Sequence, residues 1–410
     1  MLLRYSFRID PTPGQRVALA RAFGCARVVF NDALAIRNQA YEQGLPFVTD
    51  AELSVRVITA ARKRADRAWL GEVSAVVLQQ ALADCTTAFR NFFASISGKR
   101  KGPRVGAPRF RSRKDNRQAI RFTRNARFAI TRAGRLRLPK IGDVPVRWSR
   151  RLPAAPSSVT VIKDAAGRYY ASFVVEVIAE PLPAVGAETG IDLGLGRFAI
   201  LSDGRKIDSP RFLRRAEKKL KKLQKALSRT QKGSNNRAKA RTKVARAHAR
   251  VADARREFHH QQSTAIVREN QAIFVEDLAV RGLARTRLAK SVHDAGWSSF
   301  VAMLEYKAEL YGRTFLRIDR WFPSSKLCSA CGALAKSMPL AVREWACVCG
   351  AVHDRDVNAA INILAAGRAE RLNASHIRGR DGQDRPGGGR VRPPLAVAPA
   401  DEAGSHRGAA

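Results

Sequence analysis

The sequence predicts a multidomain protein that combines α/β and α+β architecture. Its 410 residues exceed the size of one typical domain and allow more than one hydrophobic core. Roughly the first hundred residues show helical periodicity, and a stretch of short alternating strands follows them. From residue 184 onward apolar strands and helices succeed one another, and four cysteines cluster near the end. These observations predict an N-terminal α+β part and a C-terminal α/β part.

The N-terminal part is predicted to be a basic β-structure with a helical lobe inserted into it. Residues 1–10 alternate apolar and polar side chains, as a half-buried strand does. Residues 11–97 form the lobe, with long helices from about Gln15 to Gln43 and from about Ser74 to Ile96. Short apolar alternations, punctuated by Gly and Pro, then indicate a β-barrel or an open sheet over residues 98–183.

The C-terminal part is predicted to contain a split α/β core. Its first and second portions span residues 184–320, a cysteine-rich domain spans 321–350, a third portion spans 351–367, and a disordered tail spans 368–410. Between the first strands and the next one we expect a basic helical hairpin over 211–256, interrupted at Gly233–Asn236. A separate helix from about Phe258 to Glu269 follows the hairpin. The further predicted elements are a strand at 272–276, a helix at 297–311, a strand at 314–318 and a helix at 354–366.

The positive charge of the chain is large and concentrated. Lys and Arg number 75 against 35 Asp and Glu, which leaves a net charge of +40. Residues 98–151 hold 19 basic and two acidic side chains, and residues 211–256 hold 18 basic and two acidic ones. Nucleic acid is the natural partner, because its phosphates release counterions when Lys and Arg bind them. The predicted nucleic-acid contacts are Arg109, Arg111, Arg121, Lys218, Lys219, Lys221, Lys222, Arg237 and Lys239.

Other classes of protein fit the composition less well. The N-terminus lacks the apolar stretch of a signal peptide, and no run of about 18 apolar residues predicts a transmembrane helix. Six cysteines, four of them clustered, favour a reduced compartment and metal binding over disulfides. A generally basic soluble protein would mix the signs of its surface charges rather than segregate them. We therefore expect no membrane partner.

Three acidic residues differ in their surroundings from ordinary surface charge. Asp192 lies between apolar neighbours flanked by glycines, Glu276 ends an apolar run, and Asp356 stands at the start of an Ala-rich helix. A carboxylate at the edge of a buried strand is costly to desolvate unless a cation offsets it, and oxygen ligands suit Mg²⁺ or Mn²⁺. Two such ions, about 4 Å apart, can activate water and stabilise the leaving oxygen of a phosphodiester. The three carboxylates therefore predict a metal-dependent nuclease site.

Each carboxylate also has an ordinary structural explanation. An Asp in Gly-Ile-Asp-Leu-Gly is commonly a turn residue, and a Glu-Asp pair after a strand commonly caps a helix. Asp354 and Asp356 could both serve as a helix cap. The nuclease hypothesis depends on the three residues occurring together in a strongly basic chain.

The four late cysteines predict one structural zinc site. Cys328 and Cys331 form a CxxC pair, and after fifteen residues Cys347 and Cys349 form a CxC pair. Four thiolates can close a tetrahedron on one Zn²⁺ and leave no open position for catalysis. A redox role is the alternative. The other cysteines, Cys25 and Cys85, fall on apolar helix faces, and the pair His259-His260 is expected at the surface or in the core rather than at a metal.

The chain resembles the TnpB (OrfB) family of insertion-sequence proteins, relatives of type V CRISPR effectors. The matching segments extend almost from end to end, except for the tail after about residue 367. They are Phe7–Gln15, Gly190–Gly194, Lys232–Asn236, Val275–Leu278, Phe322–Gly332 and Cys349–Ala360.

This resemblance implies an RNase H-like (RuvC) nuclease core with a zinc-ribbon insertion, and an N-terminal β-barrel that carries the helical lobe. It implies that Asp192, Glu276 and Asp356 are the catalytic triad, with Asp356 preferred to Asp354 because it precedes x-Asn-Ala-Ala. Arg355 and Asn358 would be its near neighbours. The implied partners are a guide RNA from the end of the element and double-stranded target DNA, in a prokaryotic cytoplasm at the nucleoid.

The activity expected from these patterns is RNA-guided cleavage of DNA by a two-metal mechanism. A catalytically silent, RNA-bound regulator of the same fold is the alternative, and an accessory transposition protein is another. The presence of all three carboxylates favours the nuclease. Transposition through a covalent tyrosine is disfavoured, because no His-hydrophobe-His motif with a Tyr nucleophile is visible in the sequence.

Overall fold

The computed structural model describes residues 1–115, 117–339 and 341–380, the last seven of these by their backbone only. The chain divides into two compact units. One contains residues 2–177, and the other begins at Ile178. Within the described residues, no helix is long and apolar enough to span a lipid bilayer.

The first unit joins a strand, a group of helices and two small sheets. Its elements are β1 (Leu2–Ile9), α1 (Pro13–Glu42), α2 (Asp50–Ser54), α3 (Ala75–Ile96), β2 (Gln118–Thr123), β3 (Ala129–Ile130), β4 (Leu136–Leu138), β5 (Gly142–Val144), β6 (Val146–Arg147), β7 (Ser158–Lys163) and β8 (Tyr169–Glu176). Short π and 3₁₀ turns connect α2 to α3 between residues 55 and 72. Helix α1 begins where the sequence provides a start signal. Thr12 is the N-cap and forms a capping box with Gln15, and Pro13 is the first residue of the helix.

The strands of the first unit form two sheets. Hydrogen bonds give the antiparallel order β2-β7-β8-β1-β6, and β3-β4-β5 form a separate antiparallel sheet. These strand pairs do not confirm the predicted N-terminal β-barrel. They correspond to the open sheet that the sequence also allowed. Pro139 and Pro145 have no amide hydrogen to donate, which keeps the strands beside them short. One hydrophobic core, with Phe7, Phe122 and Phe173 fully buried, joins this β-structure to the helices.

The second unit is built on a mixed sheet with helices on both faces. Its elements are β9 (Glu188–Asp192), β10 (Arg197–Leu201), β11 (Lys206–Asp208), α4 (Phe212–Ser228), α5 (Asn235–Glu269), β12 (Ala272–Glu276), α6 (Val280–Leu283), α7 (Ala289–Ala295), α8 (Trp297–Leu310), β13 (Thr314–Ile318), β14 (Glu344–Ala346), β15 (Val352–Asp354) and α9 (Arg355–Arg380). The sheet order is β11-β10-β9-β12-β13, in which β9, β12 and β13 are parallel and the other pairs antiparallel.

Alternate side chains of β12 serve the two faces of this sheet. Ile273 and Val275 belong to a core that includes residues of α5 and α8, whereas Ala272 and Phe274 pack in a second core with Ile363 of α9. All four strand side chains are fully buried. A strand covered on both faces reads as a continuous apolar run, which is how Ala272–Val275 appears in the sequence.

Two predictions about helices in this unit are wrong. The separate helix expected from about Phe258 is the C-terminal part of α5, which runs unbroken from Asn235 to Glu269 because that stretch contains no Gly or Pro. The tail predicted to be disordered from residue 368 continues α9 over residues 368–380. Arg368 and Arg371 of this continuation form ion pairs with Glu188 of β9 at 2.6 and 2.5 Å. The rest of the predicted tail lies outside the described residues.

Candidate active site

The parallel pairing of β9 with β12 brings two of the acidic residues to one edge of the sheet. Ile191 lies opposite Val275, and Asp192 and Glu276 are the last residues of their strands. Both carboxylates therefore emerge at the carboxyl end of adjacent strands, which lie about 5 Å apart. Both side chains are partly buried.

Helix α9 brings the third carboxylate to the same edge. Asp356 lies in the first turn of α9, and this helix packs across β9. The approach is close enough to require glycine, because a Cβ on Gly190 would lie 2.2 Å from the carbonyl oxygen of Ala360. Gly367 makes the same kind of contact further along, where a Cβ would lie 2.1 Å from the Phe274 ring. Gly190, two residues before Asp192, thus allows the helix that carries Asp356 to lie against β9.

The three carboxylates repel one another. Burial raises the pKa of Asp192 to about 7, and the negative charges of Asp356 and Glu276 add to the effect. Burial and the adjacent Asp277 also raise the pKa of Glu276. Arg355 and Arg343 act in the opposite direction on Asp192 without cancelling the rise. Such a cluster favours either protonation or a bound cation, and oxygen ligands of this kind suit Mg²⁺ or Mn²⁺.

The two aspartates near the start of α9 have different surroundings. Asp354 accepts hydrogen bonds from the backbone N–H groups of Asp356 and Val357 at 3.0 and 3.1 Å, and it also forms a 2.5 Å ion pair with Lys206. These partners lower the pKa of Asp354 although burial opposes them. Asp356 has a contact of 3.4 Å with Arg343 and lies close enough to Asp192 to raise its pKa. Asp354 is therefore committed to capping the helix, whereas Asp356 faces the carboxylate cluster.

The close packing at Gly190 provides a test of this arrangement. We expect Gly190→Ala to destabilise the protein by about 3 kcal/mol or more, because the added methyl group overlaps backbone atoms of α9 that cannot rotate away. Gly196→Ala is the matched control, since a Cβ at Gly196 meets nothing within 4 Å. Urea unfolding of the two variants measures the difference. Equal midpoints would show that α9 does not lie against β9 as described.

The four clustered cysteines lie close enough together to bind one metal ion. Their sulfur atoms are all within 4.8 Å of one another, with Cys328 Sγ 3.8 Å from Cys349 Sγ and Cys331 Sγ 3.6 Å from Cys347 Sγ. Zinc–sulfur bonds of about 2.3 Å in a tetrahedron place sulfur atoms roughly 3.8 Å apart, so the site fits Zn²⁺. The CxC spacing of the second pair is compatible with this geometry.

Backbone turns and electrostatics both support a cation among these thiols. Gly332 and Gly350 adopt φ of 76° and 86°, and their N–H groups donate to the carbonyl oxygens of Cys328 and Cys347 at 2.9 Å. Although burial opposes it, backbone N–H groups and the His353 ring, 3.0 Å from the sulfur, lower the pKa of Cys328 below its usual value. A neighbouring thiol is then held protonated unless a metal neutralises the charge.

Two asparagines join the segment that carries the cysteines to α9; the sequence placed Asn358 near Asp356 and gave Asn362 no role. Asn358 is buried, accepts a hydrogen bond from the Ser329 N–H at 2.9 Å and donates to the Leu327 carbonyl at 2.7 Å. Asn362, one turn later, donates to the carbonyls of Ser324 and Leu327 at 2.8 and 2.7 Å. The repeat of Asn four residues apart beside a run of small residues was the available signal for this contact.

Comparison with known proteins identifies the chain. Family models match residues 1–45 ("Helix-turn-helix domain", OrfB of IS605), 172–287 ("Probable transposase", OrfB of IS605) and 297–363 ("Cas12f1-like, TNB domain"). A protein of Streptomyces pristinaespiralis named "Putative RNA-guided DNA endonuclease" is 46% identical over 95% of both chains. The chain belongs to the TnpB (OrfB) family.

A more distant relative and a solved structure agree with this assignment. A protein of Escherichia coli (strain K12) with the same name and the addition InsQ is 31% identical, over 90% of this chain and 93% of its own. The Cas12f1 chain of a solved Cas12f1–sgRNA–target DNA complex is similar in fold, with a TM-score of 0.52. That alignment covers 85% of this chain and 82% of the other at 13% identity, so the TnpB chain shares the fold of that Cas12f1 chain.

The residues predicted to contact nucleic acid have diverse surroundings in this TnpB chain. The exposed ones are Arg109, Arg121, Lys218, Lys219, Lys221, Lys222 and Lys239. Lys221 pairs with Glu217 at 3.1 Å. Two others are engaged within the fold. Arg237 donates to the carbonyls of Leu227 and Thr230 at the end of α4, and Arg111 pairs with Asp84 at 3.1 Å and stacks 3.8 Å above Phe30. The position of Arg111 and Arg237 in basic segments of the sequence could not show that both side chains have partners within the fold.

Proposed function

We propose that this protein is an RNA-guided DNA endonuclease whose RuvC-like core cuts phosphodiesters with divalent metal. The single observation that carries the proposal is the convergence of Asp192, Glu276 and Asp356 at one sheet edge, where burial and the charges of Asp356 and Glu276 raise the pKa of Asp192. The names of the two relatives above, and the RNA and DNA present in the Cas12f1 complex, support the guide and the substrate. Guide RNA and double-stranded target DNA are the proposed partners.

The proposed roles of the site follow from its chemistry. Asp192, Glu276 and Asp356 would hold Mg²⁺ or Mn²⁺, which supplies an activated water and stabilises the leaving oxygen when bound. Arg343 and Arg355 limit the repulsion among the carboxylates. Cys328, Cys331, Cys347 and Cys349 would hold structural Zn²⁺, and Asn358 and Asn362 anchor that cluster to the helix that carries Asp356.

The domain roles belong to the same proposal. Residues 1–10 and 98–183 would form the basic sheet region. Within it residues 98–151, together with the N-terminal helices of the lobe of residues 11–97, would contact RNA and the duplex motif. Residues 184–320 and 351–367 would form the nuclease core, with 321–350 as its zinc domain. The basic hairpin of residues 211–256, helices α4 and the first part of α5, would line the guide–target heteroduplex.

A co-purification and cleavage experiment tests the proposal. The protein is purified with RNA expressed from its own locus and incubated with Mg²⁺ and a plasmid library that contains the guide-matched target. We expect guide-matched cuts with the wild type, and with Glu309→Gln, which changes an exposed acid of α8. We expect none with Glu276→Gln. Specific RNA and DNA binding without any cleavage would instead favour the silent regulator.

The choice between the two aspartates of the Asp-Arg-Asp sequence gives a second test. We expect Asp356→Asn to lower the cleavage rate at least about a hundredfold, because it removes a metal ligand. Asp354→Asn is expected to stay within about threefold of wild type, because Asn also caps helices and the lost ion pair with Lys206 is exposed. Single-turnover cleavage rates make the comparison. The reverse ranking would assign the third ligand to Asp354.

A further inference from the structure

An exposed tryptophan stands at the same sheet edge as the carboxylates. Strand β13 ends at Ile318, directly opposite Glu276 of the parallel strand β12. The chain then turns through Asp319 and Arg320 to Trp321, whose side chain is 83% exposed. With strands about 5 Å apart, β13 lies roughly 10 Å from β9, which carries Asp192.

The turn that carries this indole is held in place by several contacts. The carboxylate of Asp319 accepts the backbone N–H of Trp321 at 2.7 Å, and its carbonyl oxygen accepts the N–H of Phe322 at 3.1 Å. Arg320 forms an ion pair with Asp277, and the N–H of Asp277 donates to Ile318 at 2.9 Å. The turn is thus tied to the residue that follows Glu276, so Trp321 has a defined position relative to the carboxylate edge.

The two neighbouring aromatic residues point to different environments. Phe322 packs against the core of Phe274, Ile318 and Ile363, whereas Trp321 remains in solvent. The fold therefore uses Phe322 to anchor the turn and gains little from the Trp321 ring. A large aromatic side chain on a fixed turn, outside the core and beside a site for a polyanionic substrate, suits a flat and partly apolar ligand. A nucleobase is such a ligand, and every base has a face that can stack on an aromatic ring.

We propose that Trp321 is a substrate-binding residue that stacks on an unpaired nucleobase of the DNA strand entering the carboxylate site. The inference rests on the proposed nuclease function and adds a contact that positions the strand for cutting. Because stacking is tolerant of sequence, it would leave selection of the target to base pairing with the guide. Arg320, whose guanidinium is committed to Asp277, is not required for the contact.

A binding experiment on the full-length protein tests this contact without requiring cleavage. Binding of a short oligothymidylate, and of an abasic oligonucleotide of the same length, is measured at about 0.3 M salt, where phosphate contacts are weakened. We expect Trp321→Leu to weaken binding of the oligothymidylate between about fivefold and a hundredfold. Trp321→Phe should remain close to wild type, and the abasic strand should bind all variants alike. Leu288→Ala, at another exposed apolar residue, is the control and should bind as wild type does.

Tryptophan fluorescence gives an independent reading of the same contact. Oligothymidylate should quench the wild-type emission more strongly than the abasic strand does, and Trp321→Phe should remove that difference. Equal weakening of both oligonucleotides by Trp321→Leu, or unchanged binding of both, would overturn the proposal. A protein that shows base-dependent binding but never cuts guide-matched DNA would contradict the nuclease function and leave the stacking contact standing. Guide-directed cleavage with no base-dependent binding would contradict the stacking contact alone.

Discussion

Replacing Asp192 by Asn should abolish cleavage and also stabilise the protein in magnesium-free buffer. The loss of cleavage should reach at least about a thousandfold, because a proposed ligand of the catalytic metal is removed. The stability effect follows from the pKa of Asp192, which burial and the neighbouring carboxylates raise to about 7 from its ordinary 3.8. The native state therefore binds this proton more tightly than the unfolded state does.

The pH dependence of that effect has a definite sign. The contribution of Asp192 to stability is fully present below about pH 3.8 and is lost as the pH rises through about 7. The advantage of Asp192→Asn over wild type should consequently grow between pH 5 and pH 8 and reach about 2–4 kcal/mol at pH 8. The raised pKa of Glu276 acts in the same direction.

Thermal unfolding at pH 5 and pH 8 measures this difference. The buffer should be free of magnesium but contain no strong chelator, so that zinc stays bound. Adding Mg²⁺ at pH 8 should stabilise the wild type and leave Asp192→Asn unchanged, because only the wild type gains binding energy from the ion. A variant that is less stable than wild type at pH 8 would show that Asp192 is not held in a repulsive cluster.

Disrupting the cysteine cluster should unfold the segment of residues 321–350 and, through it, inactivate the enzyme. Cys328 is the one buried apolar side chain in the described part of this segment, so hydrophobic burial contributes little to its stability. Binding of structural zinc is worth about 10–16 kcal/mol in small zinc domains and is coupled to their folding. We therefore expect Cys328→Ser to lose the zinc and to become sensitive to protease within this segment.

The connection to α9 explains why cleavage should fall as well. Asn358 and Asn362 bond to the backbone around Leu327, so unfolding of the segment removes contacts on the same helix that carries Asp356. Zinc content, limited proteolysis and cleavage rate are measured together. Val348→Ala is the control, because Val348 lies between two of the cysteines and is 95% exposed. Full cleavage activity in a zinc-free Cys328→Ser protein would separate the cluster from the active site.

Much of the site could be predicted from local sequence. Glu276 ends a run of apolar residues too continuous for a half-exposed strand, and Asp192 stands inside a similar short run between glycines. The spacing of the cysteines limits them to a few known kinds of site. In each case the signal is local, because neighbouring residues of one strand or one turn determine it.

Other features could not be predicted because they depend on contacts between distant segments. Arg111 and Arg237 have the composition of phosphate-binding residues, yet their partners are Asp84 and a helix end that only the folded chain brings near. The continuation of α9 past Gly367 had no local signal either. Glycine ordinarily weakens a helix, but here it is required by the ring of Phe274.

The sequence by itself determined the charge of this protein, the residue types of its two proposed metal sites and its membership of the TnpB family. These follow from composition and from short motifs, which do not change with folding. Only the tertiary structure shows how the surroundings of Asp354 and Asp356 differ, since both lie at the start of the same helix and have different partners. The need for glycine at position 190 also depends on the tertiary structure, because α9 comes close to β9 only when the strand and the helix pack together.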